Sequence, residues 1–160
     1  MRSSSQLRSC QARNRAAPPN PAIRDIVELA RILFRADAAF AASVDHDTGE
    51  LVLEAVSGEG PWQPTDGRLP TGTGIAGWVV SSGHAVLADA AASSGEFPLE
   101  PVSRAGYVPG RVMAAPMIRD GRCLGVIEIL GRPAGPVNDP RDLELLVLLA
   151  DQATLRLPTE

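Results

Sequence analysis

The sequence predicts an α+β domain: an antiparallel sheet with a helix at each end of the chain. Three observations carry this. Helical spacing of apolar residues is confined to the two ends, around "NPAIRDIVELARILFRADA" and "NDPRDLELLVLLADQATLRL". Between them, apolar runs come in pairs around turn signals, the mark of hairpins. Helices and strands do not alternate regularly, as a parallel sheet would require. At 160 residues and 44% hydrophobic content, one domain can hold a core without disulfides or metals.

The elements follow in order. Asn20 is placed to cap the first helix, and Pro21 suits its first turn. Ile23, Ile26, Val27, Ala30, Leu33 and Phe34 form its apolar face, leaving Leu29 and Ile32 to one side. "AAFAASVDHDTGELVLEAVSG" is a hairpin turning at Gly49. "EGPWQPTDGRLP" reads as a loop, "GIAGWVVSS" as a short helix stopped by Gly83, and "AVLAD" as a short strand. The stretch from Ala88 to Gly110 is long and rich in small residues, a mobile lid with one helical turn. "RVMAAPMIRDGRCLGVIEIL" is a second hairpin, turning at Asp120-Gly121 with the type I′ signal. The last helix opens with Asp139 as N-cap and Pro140 in the first turn.

Residues 1–20 stand apart. They hold four Arg, no acid and no apolar periodicity, which reads as a disordered leader rather than a secretory signal. The ordered domain is expected over 21–157, with 158–160 as a tail. A net charge of −4 argues against nucleic acid or an anionic membrane as partner. All 15 basic residues are Arg, which we attribute to codon bias. Cys10 and Cys123 are far apart, so a reducing cytoplasm is expected and a disulfide is not.

"GTGIAG" places Gly72, Gly74 and Gly77 in the G-x-G-x-x-G spacing of dinucleotide-binding loops. Its context is wrong for that role: "TDGRLP" is a poor leading strand, and the following helix lasts about two turns. One physical property survives. The start of a helix presents free N–H groups and attracts carboxylate or phosphate. The segment is therefore either an anion-contacting corner or a tight packing corner.

Other polar residues offer less. His46, between Asp45 and Asp47, reads as a solvated turn rather than a metal site. His84 has no companion ligand, and no nucleophile, base and acid can be grouped into a catalytic set. Trp78 and Cys123 are expected in the core. Glu128 stands out, because both its neighbours are Ile within an apolar strand. A carboxylate there is either a ligand contact on a pocket floor, the partner of an Arg, or an outward group on a sheet edge.

"GTGIAGWVVSSGHAVLADA", "GYVPGRVMAAPMIRDGRCLGVIEIL" and "DLELLVLLADQA", in that order, resemble a GAF domain over about Pro21 to Leu157. The resemblance implies a GAF/PAS-like sheet with the terminal helices on one face and the lid loop and short helices on the other. It also implies a pocket beneath the lid. Carried over from cyclic-nucleotide-binding members, the pocket residues are Val56 and Ser57 at a strand end and Ile75 and Ala76 at the glycine corner. They continue with Ala105 and Pro109 in the lid and Glu128 on the floor; Phe97 and Tyr107 of the lid are further ligand-binding candidates. Ala105 and Pro109 lack the hydroxyls of those members, which disfavours a cyclic nucleotide. The lid has no Cys for a bilin, and the glycine corner has none for reduction of free methionine sulfoxide. The cofactor is left unspecified, with no metal and no catalytic residue.

The expected function is a non-enzymatic, cytoplasmic sensing and dimerisation module. Its ligand would be small and anionic or carbonyl-bearing, its partners a second copy and a downstream signalling protein. The alternative is a structural interaction domain whose pocket is closed by Ala, Met and Leu. A redox enzyme of the same fold is third. The dimer is expected through Leu29, Ile32, Leu145, Leu148, Leu149 and Leu155, which exceed what one sheet face covers.

Overall fold

The computed structural model describes residues 20–58, 67–69, 74–89, 110–131 and 140–158. The expected leader up to residue 19, the span 90–109 of the expected lid and the Asp139 cap lie outside them. Helix α1 (Pro21–Leu33) is followed by strands β1 (Ala38–Val44), β2 (Leu51–Gly58) and β3 (Arg68–Leu69). Helix α2 (Gly74–Ser82) leads to β4 (Val86–Asp89), β5 (Arg111–Arg119), β6 (Arg122–Leu130) and helix α3 (Pro140–Thr154). The strands form one sheet in the order β3-β2-β1-β6-β5-β4, with every pair antiparallel.

Local chemistry explains the boundaries. The Asn20 side chain accepts hydrogen bonds from the Ala22 and Ile23 amides at 3.1 and 3.4 Å, capping α1. Asp120 and Gly121 take φ of 51° and 76°, the two left-handed residues that a type I′ hairpin needs. In the first hairpin, the Asp45 carboxylate accepts from the Asp47 and Thr48 amides, and the Gly49 amide closes onto the Asp45 carbonyl at 2.7 Å. Arg68 then binds Asp45 and Glu50 at 3.2 and 2.6 Å, fastening β3 beside that turn. The loop reading of "EGPWQPTDGRLP" thus needs a correction. Two of its residues form an edge strand, too short to show a period in sequence.

Alternation of side chains divides the sheet into two faces. On one, Ile23, Val27 and Ala30 of α1 and Leu146, Ala150 and Ala153 of α3 pack over Ala39, Ala41, Met113, Ala115 and Ile127. Alanines on both sides of this contact let the helices sit close to the sheet. On the other, Ile75, Ala76 and Val79 of α2 pack with Phe40, Ala114, Val126 and Leu130. The terminal helices therefore share one face and the short helix takes the other.

Three packing expectations are corrected. Leu33 is 48% exposed, because helical rotation sets it to one side of the buried row Ile23, Val27, Ala30 and Phe34. Trp78 is not in the core; α2 turns it outward, 39% exposed. Leu149 is not spare surface, since it packs against the helix-side core.

Strand β6 is paired on both edges, by β1 and β5, and buried on both faces from Gly125 to Leu130. Gly125 marks its tightest point. A methyl group there would overlap the Ala42 carbonyl oxygen and press on the Met117 side chain. We expect Gly125→Ala to destabilise the protein by roughly 2 kcal/mol. The readout is a lower urea midpoint at unchanged m value. An unaltered midpoint would show that β1 and β6 part there without cost.

Candidate functional site

Glu128 defines the site. In β6 it stands opposite Phe40 of β1 and Ala114 of β5. Both cross-strand neighbours belong to the α2-side core, as do Val126 and Leu130 two residues either way. The carboxyl therefore faces the α2 side, in the interior of the sheet and 4% exposed. Among the described residues it has no hydrogen-bond donor and no cation. Burial alone pushes its pKa from 4.5 up to about 8. Of the roles open in the sequence, that of a sheet-edge group does not hold, and no Arg among the described residues partners it.

Helix α2 lies across β5 and β6 on this same face. Its first residues, Gly74, Ile75 and Ala76, are buried. The first-turn amides of a helix have no acceptor within it, so they form a positive pole inside the fold. Gly74 has φ of 74°, a backbone conformation that a side chain at the corner would disfavour. On β2, Val56 packs against the α2-side core and lines the same face.

The family model for the GAF domain matches residues 18–157 of this sequence. The chain belongs to the GAF family. Among solved structures it is similar to the GAF domain of a phosphoenolpyruvate-protein phosphotransferase from Coxiella burnetii. They share 24% identity and a TM-score of 0.71, over 95% of this chain and 90% of that one. It is also similar to a free methionine-R-sulfoxide reductase from Neisseria meningitidis, solved with its substrate. There the identity is 22% and the TM-score 0.68, over 95% of this chain and 84% of that one. The second GAF domain of DevS from Mycobacterium smegmatis aligns at 21% identity and a TM-score of 0.63, over 86% and 91%. At these identities the likeness is one of fold. No curated protein matches the sequence.

The GAF fold brings Val56, Ile75, Ala76 and Glu128 to one face. Ser57 goes elsewhere. One residue along β2 from Val56, it points to the helix side, where its hydroxyl donates to Glu28 and accepts from Arg31 Nε at 2.7 Å. Arg31 also pairs with Glu28 at 2.9 Å. Hydrogen bonds from Arg31 and then Ser57 hold the Glu28 carboxyl below its ordinary value. Ser57 thus fastens α1 to the sheet and does not meet the Glu128 face. Phe97, Ala105, Tyr107 and Pro109 lie outside the described residues.

Cys123 is half-buried near the β5–β6 turn, not fully in the core, and its thiol donates to the Gly125 carbonyl at 3.3 Å. Burial pushes the thiol's pKa up. His46 is exposed in its turn. Among the described residues no three His, Cys, Asp or Glu are grouped to hold a metal.

Sequence reasoning missed a concave region away from Glu128. A cleft of about 480 Å³ opens on the helix side at the β5–β6 turn, lined by Ser43, Glu54, Arg119 and Leu157 among others. Arg119 donates to the carbonyls of Thr154, Leu157 and Pro158, closing the C-terminal end of α3. An Arg ending an apolar strand was the available signal, and its partner lies 35 residues on.

A carboxyl whose pKa rises on folding stabilises the native state at low pH and loses that contribution as pH rises. For Glu128 the loss runs from about pH 4.5 to about pH 8. We expect ligand-free protein to lose on the order of 4 kcal/mol across this window through this group. Glu128→Gln should flatten the profile and raise stability at pH 8. Parallel pH profiles for the two proteins would remove Glu128 as their source.

Proposed function

We propose that this GAF domain is a non-enzymatic sensing and dimerisation module of a cytoplasmic signalling or transcription-regulatory system. Its ligand would be a small molecule held on the α2 side of the sheet. The observation that carries the reading is Glu128. A carboxyl buried among apolar side chains costs stability and contributes none to packing. A ligand that bonds it would offset that cost. The buried start of α2 on the same face supplies the complementary pole for an anionic or carbonyl group.

Of the Ala, Met and Leu side chains that would close the pocket in the structural alternative, the methionines face away from Glu128, while Ala and Leu are present on its face. Met113 and Met117 belong to the helix-side core, leaving the Glu128 face to Ala114, Phe40 and aliphatic groups. A redox activity at Cys123 is disfavoured by its raised pKa, which withholds the thiolate such chemistry needs. Among the described residues no helix is long and apolar enough to cross a membrane.

The dimer reading rests on the outer surfaces of the terminal helices. Leu29 and Ile32 of α1, with Leu145, Leu148 and Leu155 at the end of the chain, point away from the sheet. Ile32, Leu148 and Leu155 are 59%, 61% and 63% exposed. These positions follow helical spacing, and Leu148 and Leu155 repeat like one position of a heptad. A second copy would cover them in a parallel helical bundle, burying about 1,000 Å² or more in total.

Three measurements test the proposal. Native mass spectrometry of protein purified from its own cytoplasm should show a dimer carrying a small molecule. Ala76→Pro removes one first-turn amide donor at a helical position that tolerates proline. It should weaken binding of that molecule about tenfold or more in a protein that still folds; equal affinity would move the ligand away from α2. Sedimentation should give a dimer for the natural chain and a folded monomer for the Leu145→Glu, Leu148→Glu double variant. A monomer at high micromolar concentration in the natural chain would sink the dimer.

A further inference from the structure

The Glu128 face has two poles, and a ligand must answer both. On the floor is a carboxyl, 4% exposed, with no partner among the described residues. On the same face lies α2, whose first residues Gly74, Ile75 and Ala76 are buried and whose first-turn amides have no acceptor within the helix. The other described side chains of this face are apolar, including Phe40, Ala114, Val56 and Val79. None of the described side chains packed on this face from β1, β2, β4, β5 or α2 is titratable. The nearest charged pair, Asp89 and Arg111, alternates to the opposite face from Ala88 and Val112. No protein cation within the described face can therefore neutralise Glu128.

An anion alone would satisfy the helix start and leave the carboxyl unmet. A cation alone would do the reverse. We propose that the ligand is a free amino acid with an apolar side chain, its carboxylate on the α2 amides and its ammonium on the Glu128 carboxylate. The apolar walls would take the side chain. This rests on reading the face as a ligand site, and adds the class of molecule and the consequence of its binding. With its pKa near 8, Glu128 is mainly protonated in the free protein at pH 7. An arriving ammonium favours the ionised form, so the proton leaves Glu128 for solvent while the ligand keeps its own charge. Binding at pH 7 should then release up to about one proton per site.

The test uses the full chain and three matched probes. Leucine carries both charged groups, 4-methylpentanoate lacks the amine, and 3-methylbutylamine lacks the carboxylate. Titration calorimetry at pH 7 in buffers of different ionisation enthalpy reads affinity and proton release together. The wider set of apolar amino acids is scanned by thermal shift to find the best side chain, with its amine-free acid as control. The expected result is binding of an amino acid with proton release, at least tenfold tighter than either half-molecule. Glu128→Gln should fold, weaken that binding at least tenfold and abolish the release. Glu128→Asp, which keeps the charge, should restore part of both. Tight binding of the amine-free acid, unaffected by Glu128→Gln, would overturn the amino-acid assignment and leave the sensor reading standing. If no probe binds, the assignment falls. If native mass spectrometry also finds no small molecule, the sensor reading falls with it.

Discussion

The pairing of β6 with both β1 and β5 is the constraint on which the rest of the molecule depends. It places a nine-residue strand in the interior of the sheet, with a helix layer on each side. Every side chain from Val126 to Leu130 must then enter one of two cores. Ile127 and Ile129 meet the terminal helices, while Val126, Glu128 and Leu130 meet the α2 side. An isolated ionised group is disfavoured there. The unusual carboxyl therefore follows directly from topology.

The same pairing fixes how the two faces communicate. β5 and β6 carry Ala114 and Glu128 on the α2 side, and at their turn Arg119 grips the last carbonyls of α3 on the helix side. On the opposite half of the sheet, Ser57 ties β2 to Glu28 and Arg31 of α1. Each terminal helix is thus bonded to a strand by polar side chains as well as packed by alanines. A displacement of the sheet floor has short covalent and hydrogen-bonded routes to both helices.

Much of this was legible from residues alone, where a local rule decides the outcome. Asn20 and Pro21 announced α1 and Asp120-Gly121 the second hairpin, while the isoleucines flanking Glu128 singled it out but left its face open; a register shift between Met117 and Ile118 separates that turn from the pairing of Glu128 with Ala114. The failures share a different cause. Whether Ser57 or Val56 faces the pocket depends on strand parity, and a bulge between Ala41 and Ala42 shifts the register against β2. Trp78 and Leu149 were misplaced because α2 and α3 are apolar around much of their circumference, so periodicity does not choose the buried side. The two residues of β3 and the Arg119 grip depend on partners distant in sequence, which no local pattern encodes.

The Asn20 side chain caps α1, and its amide also donates to the Arg156 carbonyl at 2.8 Å. Arg119 holds the next two carbonyls, those of Leu157 and Pro158. The first and last described residues of the domain are therefore pinned side by side at one rim of the sheet. A domain pinned in this way behaves as a closed loop of chain, so tension applied at its two ends is borne by a few hydrogen bonds loaded in shear before the strands feel it. The chain could also be re-cut: joining the region of Pro158 to Asn20 through a short linker, and opening the ring at a surface turn such as Asp47-Thr48, would leave every strand pairing in place.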